Sequence, residues 1–362
     1  MRASRSVSCV IAGLLVSMST AFGAEWGLKE GTPELKSAGS LAFGPDGILF
    51  VGDAKGATVF ALGTGDTKGD PSKVQINVSG LNAKVAETLG VNADKIAIND
   101  LAVNPLTGNV FLSVSKAGSA AVVKITADGK LSQVGLQKIP FQKVELPNAP
   151  EDKEVATKRG PANLRGQSIT DIAYAEGKVY VSGVAGGSPS NVREIPFPFT
   201  DANAGTSVEI YHGAHGKFED TAVVRTFLPI NIDGEASLLA GFTCTPLVKF
   251  PVNSLKPGEK TRGTTVAELG NRNQPLDMIV YKKDGKDYLL MANSARGVMK
   301  ITTEGITKNP GITEPVRGAT GIAGQSYETI KELEGVVQLD KLNSTHAVIV
   351  TNSFELRTIA LP

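Results

Sequence analysis

Three aspartates stand in equivalent places along the chain. Asp100 follows Asn99 and opens the apolar run at Leu101; Asp171 follows Thr170 and opens the run at Ile172; Asp277 follows Leu276 and opens the run at Met278. Ser40 holds the same place before Leu41, and Asn231 or Asp233 does so in a fourth segment of poorer register. If these segments converge in the fold, their carboxylates repel one another and need a neutralising cation. Oxygen-only ligands favour calcium over zinc or copper. An Asp in this place also serves as a turn residue that accepts backbone N–H groups. Both readings stand at this point.

The histidines offer different chemistry. His212 and His215 lie in Tyr211-His212-Gly213-Ala214-His215-Gly216. Their i,i+3 spacing in a glycine-rich loop suits a transition-metal clamp, completed by Cys244 or His346. An exposed loop explains the pair as well. If either ring reaches the acid-lined mouth, it serves as a general base on water or an ester. That makes Asp171, His212 and His215 the catalytic candidates. Cys244, in Gly241-Phe242-Thr243-Cys244-Thr245-Pro246, is either a nucleophile or soft ligand, or a small buried hydrophobe. Arg165, Arg296 and Arg317 sit in Gly- or Ala-flanked loops, where they would receive an anion or simply be solvated. No Gly-x-Ser-x-Gly elbow, His-Glu-x-x-His pair, phosphate loop or Cys-x-x-Cys-His haem motif occurs.

The elements that must position these residues repeat. Residues 40–62 read S-L-A-F-G-P-D-G-I-L-F-V-G-D-A-K-G-A-T-V-F-A-L: three short apolar runs separated by two turns. Pro and Gly pre-set the dihedrals of the first turn, so the runs form a small antiparallel meander. Residues 101–125, 171–182 and 277–301 repeat the pattern, and two degenerate copies follow at 224–250 and 335–360. Such sheets are marginal alone and must cover their faces against neighbours. Repeats spaced roughly 50 to 70 residues apart read as propeller blades around an axis. The fold class is therefore all-β: a six-bladed β-propeller of four-stranded antiparallel sheets, with seven blades possible. A second ring of polar positions ends the second strands: Asp53, Ser115, Ser182, Thr243 with Cys244, Asn293 with Ser294, and Asn352 with Ser353.

The connections carry expectations too. Residues 24–38 or 354–361 would close the ring, 68–80 would give the outer strand of the first blade, and 85–94 a short helix. Residues 147–166 read as a long loop, of the kind that often lines a site, and 325–334 as a helical turn. At the start, Arg2 and Arg5 precede an apolar stretch from Val7 to Met18, followed by Ala21-Phe22-Gly23. This reads as a secretory signal over residues 1–23, leaving one propeller domain over 24–362 and a periplasmic or secreted location. Without Cys9, Cys244 is alone, so no intramolecular disulfide forms and the core must carry stability. Without Arg2 and Arg5 the 37 basic residues fall to 35, against 36 acidic. That balance gives no field for nucleic acid, and no later stretch is long enough for a membrane span. A monomer is expected, acting on a small-molecule substrate or binding an exported protein partner.

The run Leu41-Ala42-Phe43-Gly44-Pro45-Asp46-Gly47-Ile48-Leu49-Phe50-Val51 resembles the repeat of the calcium-dependent six-bladed propeller superfamily. That group holds the gluconolactonase and regucalcin-like proteins, the paraoxonase-like lactonases, the strictosidine synthase-like proteins and the non-enzymatic NHL-repeat proteins. The resemblance implies Ca2+ held around the channel by Asn, Asp and Glu side chains. The matching types here are Asn99, Asp100, Asp171, Asp277 and Asn293, without a convincing early Glu. It further implies a hydrolase of lactones or related esters, in which the ion polarises the carbonyl. The other branch implies a non-catalytic propeller binding a protein, glycan or small ligand.

Overall fold

The computed structural model describes residues 26–157, 160–186, 188–318 and 320–362. The secretory signal expected over 1–23 lies outside them. The 40–62 stretch folds as its turns dictate. Leu41–Phe43 pairs with Ile48–Asp53, and that strand with Thr58–Gly63. At the first turn Asp46 and Gly47 take φ of 52° and 71°, and a Cβ on Gly47 would sit 2.6 Å from the Asp66 carbonyl oxygen. Glycine is needed there for both dihedral and space.

Six such sheets surround a central channel. In chain order of their innermost strands, blade 1 starts at Leu41–Phe43, blade 2 at Ile96–Val103 and blade 3 at Asp171–Ala175. Blade 4 starts at Val224–Ile232, blade 5 at Pro275–Lys283 and blade 6 at Val336–Lys341. Middle strands are covered on both faces, which is why Ile48–Asp53 is buried throughout. Each seam between adjacent blades is a separate apolar cluster. Leu49, Phe60 and Phe111 join blades 1 and 2; Phe50, Val59 and Val181 join 1 and 3; Tyr180, Phe227 and Leu238 join 3 and 4. Leu239, Met278 and Leu289 join 4 and 5; Ile279, Leu290 and Ile349 join 5 and 6; Leu101, Leu112 and Val348 join 6 and 2. Burial of each large side chain is worth roughly 1.5–3 kcal/mol, so the seams hold the ring.

These seams give an order around the axis of 1, 3, 4, 5, 6, 2. The first two blades are interchanged relative to simple succession. The chain leaves blade 1 after Thr58–Gly63, passes blade 2, and supplies Asn77–Val78 as the outer strand of blade 6, against Leu356–Ala360. It turns back through helix α1, Leu81–Leu89, and builds blade 2. It then returns to blade 1, where Ile139–Glu145 pairs with Thr58–Gly63.

Several expected connections are corrected. Residues 68–80 serve blade 6 instead of blade 1. Lys29–Gly31 is a fifth strand on blade 1, not the ring closure, and Leu356–Ala360 is the third strand of blade 6 itself. The 147–166 loop contains a hairpin, Glu154–Thr157 with Gly160–Asn163. The helical turn expected within 325–334 is present as a single 3-10 turn at Lys331–Leu333, with a strand, Tyr327–Ile330, before it. Among the described residues no helix is long and apolar enough to cross a membrane.

Candidate functional site

The innermost strands share a local device. Blades 2, 4, 5 and 6 each carry a register shift near the start of that strand, at Ile98/Asp100, Val224/Thr226, Pro275/Asp277 and Val336/Gln338. A bulge re-aims the following side chain. Asp100 and Asp277 follow such shifts, and they interact electrostatically with each other and with Asp171. The three aspartates expected to converge do so at the channel. Asp340, two residues beyond Gln338, joins them.

Their hydrogen bonds show what holds them. Asp100 accepts from its neighbour Leu101 N (2.8 Å) and from Leu41 N of blade 1 (2.7 Å). Asp171 accepts from Ile172 N and from Phe227 N of blade 4, both at 2.8 Å. Asp277 accepts from Met278 N and from Leu339 N of blade 6, both at 2.8 Å. Asp340 accepts from Lys341 N (2.6 Å) and from Val103 N of blade 2 (2.7 Å). Each carboxylate therefore uses one oxygen on its own strand and the other on an adjacent blade. Ser40 Oγ donates to Thr170 O (3.0 Å), linking blades 1 and 3. With the Gln274 amide turned to satisfy its neighbours, its oxygen accepts from Arg225 Nε and NH2 at 3.0 and 2.8 Å, linking blades 4 and 5. Gln338, turned likewise, donates to Asp277 Oδ2 (3.0 Å) and Asp100 Oδ1 (2.8 Å).

The electrostatics follow from burial and proximity. Burial, then repulsion between the carboxylates, holds Asp100 and Asp277 well above the usual range. Burial pushes Asp171 up to about 7 and Asp340 up to about 6, in each case against the pull of the accepted N–H bonds.

The remaining candidates are spent elsewhere. Asn99 Nδ2 donates to Ala38 O (2.7 Å) and Ser115 Oγ (3.1 Å). Asn293 ends the second strand of blade 5, Lys286–Asn293, accepting from Asn273 Nδ2 (3.0 Å) and donating to Met291 O (3.2 Å). Asp53 is buried and accepts from Lys36 N, Ser37 N and Gly56 N, each at 2.8 Å. Arg165 donates to carbonyls of Lys55, Gly56 and Pro150, and Arg296 to Asn271 O. Cys244 is a free, half-buried thiol in a turn of blade 4, with φ of 67°.

The structure separates the catalytic candidates. Asp171 is on the innermost strand of blade 3, while His212 ends the fourth strand, Thr206–His212. Three strand spacings, roughly 14 Å, lie between those strands. His212 and His215 do form a cluster able to coordinate a metal, but with Glu219 as the third member, in place of Cys244 or His346. His346 begins a blade 6 strand and its Nδ1 is 2.9 Å from Thr345 Oγ1. Burial lowers the His212 ring below its usual range. Burial alone would raise Glu219, but donors from His215, His212 and Lys217 outweigh it and hold the carboxyl at about 2. Asp340 and Glu219 are the two site residues that sequence reasoning misses. Asp340 lies two residues past the place that Asp100 and Asp277 share, which Gln338 fills in blade 6. Glu219 is visible only once the His212 turn is known to be a hairpin.

No protein-family model and no curated protein matches the chain. Among solved structures, one titled "Crystal Structure of Mitotic Checkpoint Complex" aligns over 91% of this chain and 92% of that one, at 8% identity and TM-score 0.39. A streptogramin B lyase structure aligns over 93% and 99%, at 11% identity and TM-score 0.36. A plexin A4 extracellular region aligns over 91% and 47%, at 10% identity and TM-score 0.40. Likenesses this distant carry no argument about function.

Proposed function

We propose that this chain is an exported, non-catalytic propeller that binds a small ligand or protein partner, in the manner of NHL-repeat proteins. One observation carries the reading. Both oxygens of Asp100, Asp171, Asp277 and Asp340 are engaged by backbone N–H groups, one from the same strand and one from the neighbouring blade. The acids then act as staples of the ring, and proton uptake together with the Gln338 amide relieves their repulsion without an ion.

A second reading keeps a secreted, calcium-dependent hydrolase of lactones or related esters. It is favoured by the convergence of Asp100, Asp171 and Asp277, whose oxygens retain lone pairs beyond those bonded to N–H groups. Calcium there would polarise an ester carbonyl, with Asp171 as the base; the separation of His212 and His215 from the channel removes them from that role. Elemental analysis of the purified chain, prepared without chelator, decides between the two. The binding reading expects no calcium retained and no difference between wild type and Asp277→Asn. One equivalent of calcium, lost in Asp277→Asn, together with lactone hydrolysis, overturns it.

A further inference from the structure

The turn joining Thr206–His212 to Lys217–Glu219 carries an arrangement that the channel does not explain. Alternate residues of a strand share a face. The register sets Ile210 opposite Glu219 and His212 opposite Lys217. His212 and Glu219 therefore lie on one face, while Tyr211 packs edge-on against Phe218 on the other, with centroids 5.1 Å apart. The turn brings the His215 ring to 3.9 Å from that of His212. Glu219 Oε2 is then 2.9 Å from His212 Nδ1 and 3.0 Å from His215 Nδ1. One ligand atom from each of the three residues lies within 4.8 Å of the others.

These separations are close to what an ion would impose. Tetrahedral zinc, with bonds of about 2.0–2.1 Å, spaces its ligand atoms ~3.3 Å apart. The two carboxylate–imidazole separations, 2.9 and 3.0 Å, need to open by only a few tenths of an ångström to admit one. The loop is also held from behind. Glu268, fully buried on the fourth strand of blade 4, accepts from Gly213 N at 2.5 Å, and Val316 N donates to Gly213 O at 2.9 Å. Two buried polar atoms of this assembly, His212 Nε2 and Glu268 Oε2, have no partner. When a histidine ligates through Nδ1, its Nε2 carries the proton, and a carboxylate or carbonyl is its usual acceptor.

We propose that His212, His215 and Glu219 bind a divalent transition metal of the zinc class, with the fourth position open to solvent. Two imidazole nitrogens among three donors select such an ion over calcium. His215, 43% exposed at its side chain, marks the open side. Lys217 Nζ, now 3.2 Å from Glu219 Oε1, is largely exposed and turns away as the ion enters.

The test uses the mature chain stripped with a chelator and titrated with Zn2+, followed by Co2+ as a visible probe. His215→Ala is the discriminating variant, because its exposed ring can be removed without unpacking the seam. Glu219→Gln is the second, and His346→Ala the control. The expected result is one equivalent of Zn2+, a four-coordinate Co2+ absorption band, and at least a tenfold loss of affinity in His215→Ala and Glu219→Gln but not in His346→Ala. Circular dichroism confirms that each variant is folded. Failure of the folded wild type to take up stoichiometric metal overturns the proposal, as does undiminished uptake in both variants. Neither result bears on the channel reading, which concerns calcium and Asp277.

Discussion

Asp277 shows what a channel carboxylate is worth. Its two oxygens satisfy Met278 N on its own strand and Leu339 N on blade 6. Asp277→Ala leaves both backbone donors without a protein acceptor, which costs about 1–3 kcal/mol. The urea midpoint should fall accordingly. Asp287→Ala, on the same blade but 38% exposed and 3.4 Å from Lys282, should cost under about 0.5 kcal/mol. The pH dependence follows from the same groups. Asp171 and Asp340 titrate in the fold at about 7 and about 6, above their unfolded values. Between those values the folded chain holds more protons than the unfolded one. The stability they give is full below about pH 4 and is lost as the pH rises through 6 to 7. Asp66 has the opposite sign. It accepts from Asn104, Thr107, Asn109 and Lys124, and these donors outweigh burial to lower its pKa, so its contribution is lost in acid. The melting temperature should therefore peak near roughly pH 4 and fall toward pH 8. A melting temperature that rises from pH 5 to 8 would contradict this account, and Asp171→Asn should flatten the descent.

At the scale of elements, the closing strand is the telling case. Asn77–Val78 forms only two register pairs with Leu356–Ala360, yet Val78 and the preceding Ile76 are buried in the blade 6–blade 2 seam. Ile76→Ala should cost about 2–5 kcal/mol, read as a shift in the denaturation midpoint. Ile322→Ala, on the exposed fifth strand of blade 4, should cost under about 0.5 kcal/mol. Equal losses at the two sites would mean that the closing strand carries no special load. The middle strands were legible in the sequence because burial on both faces demands continuous apolar runs such as Ile48-Leu49-Phe50-Val51. The outer strands Asn77–Val78 and Leu131–Gln133 were not, because two or three residues are too few to show alternation. The aspartates at 100, 171 and 277 were legible by register, and their bonding was not, since a repeat cannot say which neighbouring blade supplies the second N–H. Asp340 escaped because Gln338 takes the place after the blade 6 shift that Asp100 and Asp277 take in blades 2 and 5, and the acid lies two residues further on.

For the whole molecule, the interchange of blades 1 and 2 could not be read from the sequence at all. Every blade presents the same alternation to its neighbours, and only side-chain fit at each seam selects the order. The consequence for folding is a set of distant pairings that must form together. Thr58–Gly63 waits for Ile139–Glu145, and Leu356–Ala360 for Asn77–Val78. Pulse-labelling hydrogen exchange during refolding should show residues 58–63 and 139–145 gaining protection in one phase, with blade 2 no later. Early protection of 139–145 alone would argue against the coupled order.

The arrangement of the last strand also bears on how the chain would answer a mechanical load. Leu356–Ala360 runs between His346–Thr351 and Asn77–Val78, and Pro362 O accepts from the Tyr281 hydroxyl at 2.7 Å. Tension applied along this strand from the C-terminus would meet two ladders of hydrogen bonds loaded side by side. Rupture then requires those bonds to shear together, where a strand at a free edge would peel away one bond at a time.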